Sequence, residues 1–189
     1  MNLPNKLTLS RIFMIPLFVL TLHGADFGWY NIETARLIAV GIFALASLTD
    51  WLDGYLARKL NLITDFGKFM DPLADKILVM AAMVYLLWLG DISPWVLVIV
   101  EGREFAVAGL RMLASQKGIV IAAGFWGKVK TVVQMVMIMV VLPGFDHVAV
   151  FWAGQVLIYA CVVLTLISAV DYIYHNRGAF DAGKNSDTP

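Results

Sequence analysis

Apolar residues along the chain fall into six long runs, roughly 9–23, 34–57, 69–89, 93–113, 124–142 and 149–172, with short polar joints between them. Within each run they occupy every side of a helix, not the single stripe that faces a soluble core. A helix rises about 1.5 Å per residue, so about 20 residues cross the hydrocarbon layer of a bilayer. The pattern therefore predicts an all-α integral membrane protein with six transmembrane helices. The joints leave no room for a soluble appendage. Residues 1–177 read as one six-helix domain, and 178–189, polar and rich in small residues, as a C-terminal tail. Lys6 and Arg11 ahead of the first run also fit a secretory leader. No small-x-small cleavage site stands near residues 23–26, however, and five more runs follow.

Composition agrees with this reading. The chain is 60% hydrophobic, against about 45–50% for a soluble domain. Its 14 basic and 14 acidic residues cancel, but they are sorted along the sequence. Lys6, Arg11, Arg58, Lys59, Lys68, Lys76, Lys117, Lys128, Lys130, Arg177 and Lys184 share one side of the predicted membrane. Asp26, Glu33, Asp91 and Asp146 lie in the opposite joints, with Arg36 near them. Positive charge collects on the cytoplasmic side, so both termini are expected inside. Trp29, Trp88, Trp95 and Trp152 fall where an outer aromatic belt belongs, and Trp51 and Trp126 toward the inner one. A neutral chain of this kind points to membrane lipids as partners and not to nucleic acid. The single cysteine, Cys161, reads as a small buried apolar residue.

One stretch breaks the apolar rule. Residues 47–76 read SLTDWLDGYLARKLNLITDFGKFMDPLADK and hold five aspartates. Asp50 and Asp53 are three apart near the inner end of the second helix, and Asp71 and Asp75 four apart at the start of the third; each pair shares one helical face. Pro72 suits a first turn, and Gly67 is expected in the loop closing the hairpin. With so short a joint the two helices are antiparallel neighbours, and their acidic faces meet near the cytoplasmic boundary. Four carboxylates at low dielectric either take up protons or hold cations. Oxygen donors without His or Cys favour Mg²⁺ or Mn²⁺ over zinc, and four could hold two ions, an arrangement suited to phosphoryl chemistry. Capping and pairing with Arg58, Lys59, Lys68 and Lys76 would explain Asp65 or Asp71, but not Asp50 and Asp53 together inside a helix. Gly54 and Ala57 continue the acidic face as a small-residue surface, open either to a ligand or to a packed helix.

The spacing Asp50-x-x-Asp53-Gly54-x-x-Ala57-Arg58, eight residues, Gly67, three residues, Asp71, three residues, Asp75 resembles the signature of the CDP-alcohol phosphatidyltransferases at all eight fixed positions. The resemblance implies transfer of a phosphatidyl group from a CDP-lipid to an alcohol, with release of CMP, at an active site on the cytoplasmic side. It implies that Asp50, Asp53 and Asp71 bind metal, and that Asp75 both binds metal and acts as general base. It also implies that Gly54, Ala57, Arg58, Thr64 and Gly67 contact the CDP-lipid, together with Asn5 and Thr8 in the stretch LPNKLTLSR. An amphipathic start to the first helix is the competing account of Asn5 and Thr8. Family members are often dimers, so a homodimer is a candidate assembly.

The acceptor is read from two further runs. VEGREFAVAGLRML places Glu101, Arg103, Glu104 and Arg111 on the fourth helix, and GFWGKVKTVVQ places Lys128 and Lys130 on the fifth. Buried basic groups suit an anionic acceptor, since arginine forks match phosphate. Internal pairing with Glu101 and Glu104 is the alternative, although two glutamates neutralise only two of four cations. Both runs resemble the branch of the family that uses sn-glycerol 3-phosphate with CDP-diacylglycerol. The expectation is a bacterial inner-membrane enzyme with Arg103, Arg111, Lys128 and Lys130 at the acceptor's phosphate. Serine or an inositol phosphate as acceptor, a divalent-cation carrier, and a purely structural membrane protein are the other readings.

Overall fold

The computed structural model describes the backbone of residues 3–60, 65–116 and 124–175, and the side chains of 10–49, 73–115 and 124–175. Among the described residues the regular structure is entirely helical: α1 (Leu3–Asp26), α2 (Ile32–Leu60), α3 (Asp65–Trp88), α4 (Pro94–Gln116), α5 (Phe125–Val141) and α6 (Val148–His175). Each helix overlaps one of the six apolar runs. Two segments, Ile32–Thr49 and Val148–His175, are long and apolar enough to cross a membrane by length and composition. Charge and length set α4 and α5 apart, since α4 carries Glu101, Arg103, Glu104 and Arg111 and α5 has 17 residues.

Helix α3 begins earlier than hydropathy predicts. Gly67 lies in its first turn and not in a loop, and Pro72 lies in its interior and not in a first turn. Polar residues end an apolar run without ending a helix, which is why the boundary was misplaced. The same holds for α1, which takes in the polar stretch from Leu3 onward.

The chain packs as two units, Met1–Asp91 with Ile138–Phe151, and Ile92–Met137 with Trp152–Pro189. In the first, Ala35, Ala39, Phe43 and Ala46 make a buried stripe on α2 at four- and three-residue steps. Small residues at such steps allow close helix approach, the main source of packing when the surroundings are as apolar as the core. Phe18 of α1 fills the space opposite, 6.5 Å from the Phe43 ring and 6.1 Å, edge-on, from Tyr85 of α3. The Tyr85 hydroxyl donates to the Val19 carbonyl at 3.3 Å, and the His23 ring stands 5.6 Å from Tyr85. Late α1 therefore meets late α3, and these helices run in the same direction.

Caps fix the helix ends. Asn31 precedes α2, and its side-chain oxygen accepts the Thr34 backbone N–H at 2.9 Å, satisfying a donor that has no partner within the helix. After α3, Gly90 takes φ 81°, the Gly90 N–H donates to Leu87 and the Asp91 N–H to Leu86. This is a Schellman closure, and only glycine adopts that backbone freely. Arg36, one turn into α2, pairs with Asp91 and lies where a Cβ on Gly144 would stand. Burial pushes the Asp91 carboxyl above its usual range, and the Arg36 guanidinium offsets this only in part.

In the second unit α4, α5 and α6 supply the buried residues. The buried face of α6 is Gly154, Ile158, Cys161, Thr165, Ser168 and Tyr172, alternating steps of four and three. Thr165 and Ser168 return their hydroxyls to the Cys161 and Thr165 carbonyls at 2.7 and 2.9 Å, so neither leaves a bare polar atom in an apolar helix. The cysteine is buried, as expected.

Candidate active site

Helix α2 carries Asp50, Asp53, Gly54, Ala57 and Arg58 in its last turns, and α3 carries Gly67, Asp71 and Asp75 in its first three. The Arg36–Asp91 pair joins the start of α2 to the residue chain just beyond α3, so the two helices run in opposite directions. Asp50 lies about 21 Å along α2 from Arg36, and Asp75 about 20 Å along α3 from Trp88, at 1.5 Å per residue. Both therefore lie toward the end away from that pair. The side chains of Asn5, Thr8, Asp50, Asp53, Gly54, Ala57, Arg58, Gly67 and Asp71 lie outside the described residues, as does Thr64 altogether. The predicted convergence of four carboxylates falls there too. Asp75 is described: it is partly buried, next to Ala74, which is buried, and one turn before Leu78, also buried. Among the described residues no group of three His, Cys, Asp or Glu could hold a metal. Arg11, one turn after Thr8 on α1, is completely buried.

A cluster of paired charges lies in the second unit. Lys130 of α5 is fully buried, and its ammonium donates to Glu104 Oε1 of α4 at 2.7 Å. Arg103 Nη1 donates to the same oxygen at 3.2 Å. Three residues back on α4, Glu101 Oε1 accepts from Gln134 Nε2 at 3.4 Å. Pairing 104 with 130 and 101 with 134 is the register of two antiparallel helices, each pair one turn from the next. A lysine with no exposed surface must be paired, because an isolated ammonium at low dielectric is strongly disfavoured. Glu104 meets that requirement.

The remaining predicted cations are placed differently. Arg111, two turns beyond Arg103, lies with its Cζ 5.7 Å from the centre of the Tyr172 ring of α6, within cation–π range. The buried Nε atoms of Arg103 and Arg111 have no hydrogen-bond partner. Lys128 is exposed. The structure thus brings Arg103 and Lys130 together on one carboxylate, sets Arg111 against an aromatic ring, and leaves Lys128 facing outward. Internal pairing with glutamate is real for two of the four.

Sequence reasoning missed Gln134 and Tyr172. A signal for both was present: Gln134 follows Lys130 by one turn, and Tyr172 follows the small or polar residues Gly154, Cys161, Thr165 and Ser168 at helical spacing in a helix otherwise rich in valine, leucine and isoleucine.

Known proteins are similar in sequence over nearly the whole chain. A family model described as CDP-alcohol phosphatidyltransferase matches residues 1–168. The chain is 42% identical over 186 residues to a Bacillus subtilis (strain 168) protein named CDP-diacylglycerol--glycerol-3-phosphate 3-phosphatidyltransferase, covering 93% of this chain and 95% of that one. It is 44% identical over 175 residues to a protein of Mycobacterium tuberculosis (strain CDC 1551 / Oshkosh) named "Probable phosphatidylglycerophosphate synthase", covering 91% of this chain and 80% of that one. A Rickettsia bellii (strain RML369-C) protein with the same name as the Bacillus one is 35% identical over 174 residues, 90% of this chain and 93% of that one. With eight signature positions in place on α2 and α3 and a match over residues 1–168, the chain belongs to the CDP-alcohol phosphatidyltransferase family.

Proposed function

We propose that the protein transfers the phosphatidyl group of CDP-diacylglycerol to sn-glycerol 3-phosphate, giving phosphatidylglycerophosphate and CMP. Relatives covering at least nine-tenths of the chain carry the name of that transferase of phospholipid synthesis. The observation that carries the choice of acceptor is the surplus of cations over carboxylates on α4 and α5: Arg103 and Lys130 share Glu104, Glu101 accepts from Gln134, and the Arg111 guanidinium stands over the Tyr172 ring. A phosphate-bearing acceptor supplies the missing negative charge, and guanidinium edges match its oxygens.

In this reading residues 1–177 form one catalytic domain and 178–189 a polar tail. All six helices span a bacterial inner membrane, with both termini and the aspartate-bearing ends of α2 and α3 on the cytoplasmic side. Outward-facing Phe13, Leu17 and Leu20 on α1 and Val156, Tyr159, Val163, Leu166 and Val170 on α6 support lipid contact, since so much exposed apolar surface is unsuited to water.

The donor set Asp50, Asp53, Asp71 and Asp75, oxygen-only and on two adjoining helices, fits two Mg²⁺ or Mn²⁺ ions. Such ions, when bound, polarise the diphosphate and stabilise charge on both the attacking and departing oxygens. Asn5, Thr8, Gly54, Ala57, Arg58, Thr64 and Gly67 hold the CDP-lipid. Arg103 and Arg111 bind the acceptor's phosphate and so aim its primary hydroxyl at the lipid-bearing phosphorus. Lys130, buried on Glu104, and Lys128, exposed, complete the basic set around them. Asp75 accepts the hydroxyl proton as the new P–O bond forms and the bond to CMP breaks. Positioning and electrostatics account for most of the rate, as is usual in phosphoryl-type transfer.

The test is an acceptor screen. Purified protein in lipid–detergent micelles is given CDP-diacylglycerol, Mg²⁺ or Mn²⁺, and one acceptor at a time. CMP release is expected with sn-glycerol 3-phosphate; release with serine alone overturns the assignment.

A further inference from the structure

Two cations share one oxygen of Glu104, and they share it unequally. Lys130 holds Oε1 at 2.7 Å, whereas Arg103 reaches it with a single nitrogen at 3.2 Å. Arginine beside a carboxylate ordinarily closes into a two-point fork, the stronger and more specific arrangement. Here it does not. Its Nε is buried and has no hydrogen-bond partner, and a Cβ on Gly127 would come within 3.4 Å of its other terminal nitrogen. A buried donor left unsatisfied is unfavourable unless a ligand completes it.

Lys130 itself is poorly placed to meet a diffusing substrate. It has no exposed surface and its ammonium is on Glu104, while Arg103 retains 11% side-chain exposure. Glu104 of α4 faces Lys130, and Gln134, one turn on along α5, donates to Glu101. We propose that Lys130 is a positioning residue: by occupying Glu104 it keeps the Arg103 guanidinium available to the acceptor's phosphate. This rests on the acceptor reading above and divides the labour within its basic set. Without Lys130, Glu104 closes on Arg103 in a fork, and the trio's net charge falls from positive to neutral. Neutralising Glu104 as well releases Arg103 and restores the positive charge.

The experiment is a steady-state comparison of wild type, Lys130→Met, Arg103→Ala and the double variant Lys130→Met/Glu104→Gln, varying sn-glycerol 3-phosphate and CDP-diacylglycerol separately. Lys130→Met is expected to raise the acceptor KM about tenfold or more, with the donor KM within about twofold, the pattern of lost acceptor binding alone. The double variant is expected to return the acceptor KM to within about threefold of wild type, because a neutral amide holds arginine far less tightly than a carboxylate. Arg103→Ala raises the acceptor KM like Lys130→Met. A double variant as impaired as Lys130→Met shows that Lys130 meets the phosphate directly and overturns the proposal, as does an unchanged acceptor KM in Lys130→Met. Should Lys130→Met fail to fold, the double variant, which leaves no buried unpaired charge on the pair, decides alone. Wild-type turnover with an unrescued double variant defeats this proposal only; a wild type inert toward sn-glycerol 3-phosphate defeats the acceptor assignment and this proposal with it.

Discussion

At the scale of single residues, two lysines close in sequence behave in opposite ways. Lys128 is exposed, while Lys130 is fully buried on Glu104. Two positions on a helix differ by about 200°, so such neighbours face apart. Sequence alone identified both as basic groups of the fifth helix, but which one turned inward depended on how α5 is rotated against α4. Asp75 was legible in a stronger sense, because its spacing from Asp71, Gly67 and Asp53 is a signature that needs no knowledge of packing. If it is the base, Asp75→Asn lowers kcat by about 10²–10⁴-fold, the usual contribution of general base catalysis. The variant should retain the wild-type thermal midpoint. Turnover within a factor of two of wild type, measured as CMP release, would remove Asp75 from the mechanism.

At the scale of elements, apolar runs located all six helices, because each long run is set off by a short polar joint. The starts of α1 and α3 were misjudged, since both are polar in sequence yet helical in fact. The Arg36–Asp91 pair could not be foreseen, because it joins residues 55 apart in the chain. That pair makes a pH prediction. Asp91 must be ionised to attract Arg36, and burial has raised its pKa above the ordinary 3.8. Arg36→Met removes the one cation shown to draw that pKa back down, so Asp91 protonates more readily still in the variant. The stability gap between wild type and Arg36→Met is therefore small at low pH, widens as pH rises through the raised carboxyl pKa, and levels off above it. Thermal unfolding from pH 4 to 8 measures it, and a gap that narrows with rising pH would refute the assigned pairing.

At the scale of the whole molecule, the sorted charges predict a fixed orientation in the membrane, and the lone buried cysteine makes this easy to test. Cys161 should resist a membrane-impermeant maleimide in intact cells. Asp146→Cys, in the exposed joint between α5 and α6, should label from outside, and Ser115→Cys, exposed near the end of α4, only after the membrane is opened. The reverse pattern would invert the topology and place the aspartate-bearing ends on the wrong side for a cytoplasmic nucleotide. The helix pattern was readable from hydropathy. The polar face of α6 was not, because its members are individually unremarkable and become visible only as a series.

That series has a consequence for how the chain can change in length. Gly154, Ile158, Cys161, Thr165, Ser168 and Tyr172 hold one side of α6 by repeating every seven residues. Adding or deleting one residue in mid-helix swings everything beyond it by about 100°, turning hydroxyls toward lipid and valines inward. Indels in α6 should therefore be accepted only near its tips or in whole heptads, which return the helix to within about 20° of its original phase.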